Sequence, residues 1–241
     1  METVLVTGSS GRVGRAVVAE LLRRGHAVRG IDVAASATLV DSVVGDLGDR
    51  AAIDRAMAGV SCLVHLAATP DEDDFFSRLL PNNIVGLYNV MESARAAGVR
   101  RIVLASSGQV NWWQQQRGPF PIGEDGPVSP RGWYAATKMF MEAIGRGFAE
   151  MHGMSVIVAR LGWCPRPGQE AELAAAEWAQ DVYFSPGDIG RFFAHCVEAA
   201  EDVRFLIVNG SSRPVKLARL DLGVAAKVLG YVPQDTWPEG M

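Results

Sequence analysis

Tyr134 and Lys138 are the residues whose types and spacing most directly suggest chemistry. They stand four positions apart in "GWYAATKMFMEAIGR", residues 132–146, which has the pattern of a partly buried helix. Side chains at this spacing are neighbours on one helix face. An ammonium beside a phenol favours the phenolate, which is otherwise scarce because tyrosine has a pKa of about 10. Two amphipathic side chains with packed stems and solvated tips explain the same spacing, so the pair alone decides nothing.

A glycine-rich turn near the start of the chain has the spacing of a phosphate-binding loop. Gly8, Gly11 and Gly14 in "TGSSGRVG" follow the apolar strand pattern "TVLVT" and precede a helical pattern from about Gly11 to Arg24. Glycines let the turn form and let the backbone approach a pyrophosphate. The N-terminus of the following helix offers N–H groups and a positive dipole to that phosphate. The context between strand and helix predicts a dinucleotide site.

An acidic residue at the end of the second strand indicates which dinucleotide is bound. Asp32 closes the pattern "AVRGID", where a carboxylate accepts hydrogen bonds from an adenosine ribose and repels a 2′-phosphate. The sequence therefore favours NAD over NADP, although Arg12 and Arg29 leave NADP open. Asp46 follows the third short strand, where it either meets the adenine amino group or caps a turn or helix.

The order of the predicted elements indicates the fold. Short apolar runs alternate with helix-length amphipathic segments, which predicts a parallel sheet covered by helices on both faces. Residues 1–241 are therefore expected to form one α/β domain with a doubly wound parallel sheet, Rossmann-like, with a reduced C-terminal substrate-binding region. Further strands are predicted at "CLVHLA", "RIVLAS", "SVIVAR" and "RFLIVN", and further helices at about Arg50–Ala58, Asn83–Ala97, the Tyr134 segment and Asp188–Ala199.

Two irregular segments are the expected substrate-binding elements. The stretch 111–131 is rich in glycine, proline and polar residues, and "GWCPRPGQ" follows the strand "SVIVAR". Both leave the carboxyl ends of strands, where ligands bind in open α/β sheets. Long loops in compact domains are often functional. Substrate contacts are therefore predicted mainly in residues 108–133 and 162–187.

Composition excludes several classes of partner. The chain has 241 residues, of which 49% are hydrophobic, and its formal net charge is -4, so neither nucleic acid nor an anionic membrane is an expected partner. No stretch approaches the roughly 20 apolar residues of a membrane span, and the first residues lack a secretory signal pattern. Three widely spaced cysteines, Cys62, Cys164 and Cys196, indicate reduced thiols in a cytoplasmic protein. No Cys/His spacing predicts a metal site.

Taken together and in order, the motifs resemble one enzyme family. "TGSSGRVG", "GDLGD", "HLAA", "SSGQV" and "YAATK" resemble the extended short-chain dehydrogenase/reductase family, the NAD-dependent epimerase/dehydratase group. The resemblance spans nearly the whole chain. It implies an NAD-dependent dehydrogenase or epimerase in which Tyr134 is the acid/base, Lys138 assists it and also binds the nicotinamide ribose, and Ser107 holds the substrate oxygen. Two serines ending a strand could also be purely structural, as Ser106 is expected to be.

The same resemblance implies the cofactor contacts. NAD would be held by residues of the glycine loop, the second to fourth strand ends and the catalytic helix. These are Gly8, Ser10, Gly11, Arg12, Val13, Gly14, Asp32, Asp46, Leu47, Leu66, Ala67, Ala68, Asn83, Tyr134 and Lys138, with Asn83 mainly supporting local geometry. His65 and His195 are interpreted as structural.

Among shorter members, the chain resembles the uronate dehydrogenases, which oxidise a sugar acid at C1. It departs from them at Gly108 and Gln109, where they have Asn-His, and at Trp163, where they have serine. Their carboxylate-binding arginine falls near Glu172 here, which leaves Arg166 as the nearby substitute. The predicted substrate contacts are Ser107, Gln109, Trp112, Tyr134, Trp163 and Arg166, and for each tryptophan, Trp113 included, packing is an equal alternative.

The favoured reading is an NAD-dependent oxidoreductase acting on a small polyhydroxylated substrate such as a sugar or sugar acid. A sugar epimerase with transiently reduced NAD and a non-catalytic dinucleotide sensor remain open. Related enzymes pair the helix after Lys138 across a dimer, so the resemblance implies a homodimer through the helix carrying Tyr134 and Lys138.

Overall fold

One parallel sheet of seven strands forms the centre of the protein. The computed structural model describes residues 3–240, and its strands lie in the order β3-β2-β1-β4-β5-β6-β7. The order reverses between β1 and β4, and such a switch point opens a crevice at the carboxyl ends of the strands. The strands are β1 Thr3–Thr7, β2 Ala27–Asp32, β3 Ser42–Val44, β4 Val60–His65, β5 Arg101–Ser107, β6 Ser155–Leu161 and β7 Phe205–Gly210.

Helices cover both faces of this sheet. On one face α1 packs beside α8 over the side chains of β1, β4 and β6, and on the other α2, α3 and α5 cover a second core. Strands buried on both faces explain the near-continuous apolar runs of the sequence. The helices are α1 Arg12–Arg23, α2 Arg50–Met57, α3 Gly86–Ala96, which directly follows the π-helical segment Phe75–Val85, α4 Trp112–Arg117, α5 Trp133–His152, α6 Glu170–Ala175, α7 Glu177–Gln180 and α8 Pro186–Val197.

Two local expectations from the sequence were wrong. The helix expected from Asn83 begins at Phe75, because a π-helical segment, Phe75–Val85, contains Pro81 and runs directly into α-helix. Asp74 starts it by accepting hydrogen bonds from the Ser77 backbone and hydroxyl. The expected loop at 111–131 contains α4, and the segment after β6 contains α6 and α7.

Two further features bear on function. No helix within residues 3–240 is long and apolar enough to cross a membrane. The same range holds no group of three acidic, histidine or cysteine side chains suited to a metal ion.

Candidate active site

A cavity of about 850 Å³ runs along the carboxyl ends of β1, β2, β4, β5 and β6. The glycine loop and Asp32 lie in its wall together with Ser107, Tyr134 and Lys138, although these residues are far apart in sequence. A single crevice therefore combines the predicted dinucleotide site with the predicted catalytic residues.

The glycine loop shapes the cavity wall by a very close backbone approach. A Cβ atom on Gly14 would lie 2.0 Å from the carbonyl oxygen of Gly8, so no larger residue fits. Within the described part of the chain, no side chain caps the N-terminus of α1 and its first turn contains no acidic residue. Gly11, Arg12 and Val13 line the cavity there. An uncapped, positively polarised helix end facing a cavity fits a pyrophosphate.

Asp32 also lines the cavity, and its carboxylate is held in place by backbone groups. Oδ2 accepts the Ser10 N–H at 2.9 Å, and Oδ1 accepts the Ala34 N–H at 3.0 Å. Ser10 itself does not line the cavity, because its hydroxyl donates to the Ala34 carbonyl. The contact of Ser10 with the cofactor stays a prediction.

The two arginines that left NADP open are engaged elsewhere. Arg29 pairs with Asp41 at 2.9 Å and donates to the carbonyls of Ala56 and Ala58. Arg12 crosses from the glycine loop and donates to the Cys164 carbonyl, which joins this loop to the segment after β6.

The remaining predicted cofactor residues divide into two groups. Asp46, Leu47, Leu66, Ala67 and Ala68 line the cavity. Asn83 does not line it.

Asn83 is buried in the π-helical segment before α3, and its side chain bonds neighbouring segments. Its side chain accepts the Thr69 N–H at 2.8 Å and donates at 3.1 Å to the Thr69 carbonyl and the Thr137 hydroxyl. The segment after β4 is thereby tied to α5.

Ser107, Tyr134 and Lys138 meet at the end of β5. The buried Tyr134 hydroxyl shares a hydrogen bond with the Ser107 side chain. The Lys138 ammonium lies 5.6 Å from the centre of the Tyr134 ring and donates to the Ala105 carbonyl at 2.8 Å. Ser107 Oγ also accepts the Gln109 N–H at 3.1 Å, which fixes its orientation.

The electrostatics of this group differ from the expectation. Burial raises the pKa of Tyr134 to about 12, and the Asp71 carboxylate adds to the rise, while the Ser107 hydrogen bond and Arg166 oppose it. Burial lowers the pKa of Lys138 to about 8. The expected lowering of the tyrosine pKa by its lysine is therefore absent, because removing the phenolate from water outweighs the nearby charges.

Two acidic residues after β4 belong to the site and were not singled out from the sequence. Glu72 caps α5, since its carboxylate accepts the N–H groups of Trp133 and Tyr134, both at 3.1 Å. Asp71 lines the cavity and accepts from the Gln109 side chain at 3.1 Å. The run "DEDD" begins at residue 71, with five residues between it and the end of the fourth strand, and it was the available signal because that strand end borders the crevice.

Three indole rings form an aromatic wall, defined here as Trp112, Trp163 and Trp178. The Trp178 ring lies 5.3 Å from that of Trp112 and 5.7 Å from that of Trp163, and all three line the cavity. Trp178 was missed because α7 is too short to show a pattern. Trp113 lies outside the cavity lining with 45% of its surface exposed, whereas the predicted contact Arg166 is at the rim.

A buried polar network lies beneath the carboxyl end of β5, next to Ser107. The Ser106 hydroxyl donates to Glu142 Oε1 at 2.6 Å, and Arg160 binds the same carboxylate at 2.7 and 2.9 Å. Glu142 stands one turn after Lys138 on α5. Ser106 therefore contributes to the scaffold, as expected, and the network fixes α5 against β5 and β6.

Comparison with known proteins identifies the family. The model of the NAD dependent epimerase/dehydratase family matches residues 4–169. The chain belongs to this family. L-arabinose 1-dehydrogenase (NAD(P)(+)) of Haloferax volcanii is 32% identical over 250 residues, covering 98% of this chain and 97% of the relative. Uronate dehydrogenase of Agrobacterium fabrum is 34% identical over 192 residues, covering 77% and 70%.

Solved structures agree with the fold of this family member. The structure of uronate dehydrogenase from Agrobacterium tumefaciens in complex with NAD superposes with a TM-score of 0.81 at 28% identity, covering 98% of this chain and 85% of that one. A glucuronic acid dehydrogenase from Chromohalobacter salexigens gives 0.82 at 28%, with the same coverages. The predictions of the family and of a doubly wound Rossmann-like fold are confirmed.

Proposed function

We propose that the protein is an NAD-dependent dehydrogenase that oxidises a hydroxyl-bearing carbon of a small sugar or sugar acid, or reduces the corresponding carbonyl. The observation that carries this proposal is the meeting of Ser107, Tyr134 and Lys138 inside the cavity that also contains the uncapped N-terminus of α1. The named relatives, which oxidise arabinose or uronates, support the substrate class.

The cavity fits NAD along its length. The N–H groups at the start of α1 would hold the pyrophosphate, and Asp32 would accept hydrogen bonds from the adenosine ribose. NAD is favoured over NADP because Arg29 is directed toward Asp41 and Arg12 toward the Cys164 carbonyl. Neither guanidinium is left to bind a 2′-phosphate.

The residues around Ser107 supply the proton transfer. NAD held in this cavity would supply the hydride acceptor for the carbon that is oxidised. Ser107 holds the substrate oxygen beside Tyr134, and the Tyr134 oxygen takes the hydroxyl proton in the oxidative direction or returns it in the reductive one. Because the pKa of Tyr134 is about 12, the phenolate fraction grows with pH throughout the neutral range. Oxidation is therefore expected to be faster at pH 8 than at pH 6.

The proposal is tested by NADH absorbance with NAD and a panel of aldoses and uronic acids. The parent is expected to form NADH with at least one member, and Tyr134→Phe is expected to abolish it without loss of NAD binding. Net NADH release also separates a dehydrogenase from an epimerase, which returns its hydride to the substrate. NAD binding without NADH formation from any panel member would contradict the proposal.

A homodimer through the helix carrying Tyr134 and Lys138 is part of the proposal. The surfaces of α5 and α3 carry exposed apolar side chains, with Phe140 at 39%, Trp133 at 64% and Tyr88 at 62% exposure. Such side chains suit burial between two copies. Light scattering is expected to give twice the chain mass for the parent and a monomer for Phe140→Glu, and a parent monomer would refute this part.

We also propose a cytoplasmic location. Cys196 lies in the core, where burial raises the pKa of its thiol and keeps it protonated. Recovery of the enzyme in the cytoplasmic fraction of its host is the expected result.

A further inference from the structure

Asp71 has an unusual backbone conformation at the edge of the cavity. Its φ of +69° is the only positive value outside glycine among residues 3–240. Strained conformations of this kind persist only where surrounding contacts impose them, and they cluster at functional sites. The half-buried Asp71 carboxylate accepts the Gln109 amide at 3.1 Å through Oδ1, and Oδ2 lies 3.9 Å from the Arg166 guanidinium. The loops after β4, β5 and β6 therefore meet at this side chain.

The Asp71 carboxylate also acts on the catalytic residues. Its partner Gln109 donates its backbone N–H to Ser107. Its negative charge contributes to the raised pKa of Tyr134, which the charge of Arg166 opposes. Asp71 is thus within electrostatic reach of the phenol that moves the proton.

The other charged groups lining this end of the cavity are exposed to water, namely Arg78, Arg131, Arg166 and Glu172. Arg166 donates to the Pro70 carbonyl at 3.2 Å, and its guanidinium lies 3.9 Å from Asp71. Arg131 stacks over Trp112 at 4.6 Å from the ring centre, and Arg78 lies 3.6 Å from Asp73. Asp71 differs from these groups because its partner Gln109 itself donates to Ser107.

Resting on the function proposed above, we propose that Asp71 is a substrate-binding and specificity-determining residue that selects an uncharged aldose over a sugar carrying a carboxylate. A carboxylate has about four acceptor positions, of which the Gln109 amide and the Glu72 N–H occupy two, both at Oδ1. Sugar hydroxyl groups are donors and match the positions that remain. A substrate carboxylate has no donor to offer and is repelled by the like charge.

The aromatic wall supports the same choice of substrate. Trp112, Trp163 and Trp178 give one side of the cavity apolar indole surface, against which the C–H groups of a sugar ring can pack. The wall binds a ring by surface contact, and the guanidinium stacked on it, that of Arg131 on Trp112, is exposed to water. Hydroxyl recognition by Asp71 on one side and ring packing on the other define an aldose site.

The test compares three pairs of sugars that differ only at C6: glucose and glucuronate, galactose and galacturonate, mannose and mannuronate. The parent is expected to show a higher kcat/KM for an aldose than for its matching uronate. Asp71→Asn keeps the side-chain shape and tolerates positive φ. It is expected to lower kcat/KM for the aldose roughly tenfold or more, because a hydrogen bond to a charged acceptor is lost. The uronate is expected to lose nothing.

Asp202→Asn is the matched control. Asp202 is an exposed acid outside the cavity lining, so the same change of charge is made away from the site. It is expected to leave the aldose-to-uronate ratio unchanged. Asp71→Asn is also expected to shift the pH dependence of the rate to lower pH, because a negative charge near Tyr134 is removed, whereas a merely structural role would not move it.

The outcomes separate the two proposals. A parent that prefers a uronate to its matching aldose, or an unchanged ratio in Asp71→Asn, overturns the role of Asp71 and leaves the dehydrogenase proposal standing. Absence of NADH from every sugar overturns both. Thermal unfolding and NAD binding verify that the variant folds.

Discussion

We expect the buried side chain of His65 to lower the free energy of unfolding in acid. It ends β4 beside the cavity, and burial, with a smaller contribution from the Lys138 charge, lowers its pKa from 6.5 to about 3. Its hydrogen bonding explains why a second proton is not accommodated. Thr7 Oγ1 already accepts the N–H groups of Leu66 and Ala67 at 3.1 Å, so its hydroxyl proton is directed to His65 Nδ1 at 2.8 Å. Protonated Nδ1 would place two donors face to face.

The magnitude follows from the two pKa values. Between pH 6.5 and pH 3 the unfolded chain binds a proton at this histidine and the folded chain does not, so stability falls as the pH falls through that window. A pH of 5 lies 1.5 units below the ordinary histidine pKa of 6.5. At about 1.36 kcal/mol per unit, protonation of this histidine in the unfolded chain therefore lowers the free energy of unfolding by about 2 kcal/mol at pH 5. That is a substantial part of the roughly 5–15 kcal/mol of a typical domain.

The assay is urea unfolding of the parent and His65→Asn at pH 7.5 and pH 5. The variant loses packing at both values, but the fall in stability between them is expected to be about 2 kcal/mol smaller than in the parent. Other titrating groups are shared and cancel in this difference. His152→Asn is the matched control for the substitution itself, because His152 is exposed at the end of α5. An equal fall in parent and His65→Asn would refute the reasoning.

Three further predictions concern the cofactor loop, the catalytic serine and the buried network. Gly14→Ala is expected to weaken NAD binding at least a hundredfold in calorimetry, because the added Cβ would meet the Gly8 carbonyl. In the control Gly147→Ala the added Cβ meets only the flexible end of the Met151 side chain, so this variant should bind NAD normally. Ser107→Ala is expected to lower kcat roughly a hundredfold or more with NAD affinity unchanged, and a kcat within threefold of the parent would contradict its role. Glu142→Gln leaves Arg160 as an unpaired buried charge and is expected to cost about 3–5 kcal/mol in urea unfolding, so a loss below 1 kcal/mol would contradict that account.

The fold was largely predictable because its signals are local. Apolar strands buried on both faces and amphipathic helices are visible in short windows of sequence, and parallel strands joined by helices permit few topologies. The glycine loop was equally visible, since the restriction at Gly14 comes from backbone atoms a few residues away. Element ends were less predictable. The helix predicted from about Asn83 begins at Phe75, because the π-helical segment accommodates Pro81.

By itself, the sequence determined the family, the sheet and the residues Ser107, Tyr134 and Lys138, because each depends on neighbours in the chain or on motif order. Tertiary structure decided what surrounds them. Asp71 and Trp178 reach the cavity from segments without a recognisable motif, whereas Ser10 and Asn83 are outside its lining. The pKa of Tyr134 likewise depends on burial, a property of the assembled domain. Spacing places a phenol beside an ammonium, but the removal of water that governs its ionisation arises only when distant segments close around it.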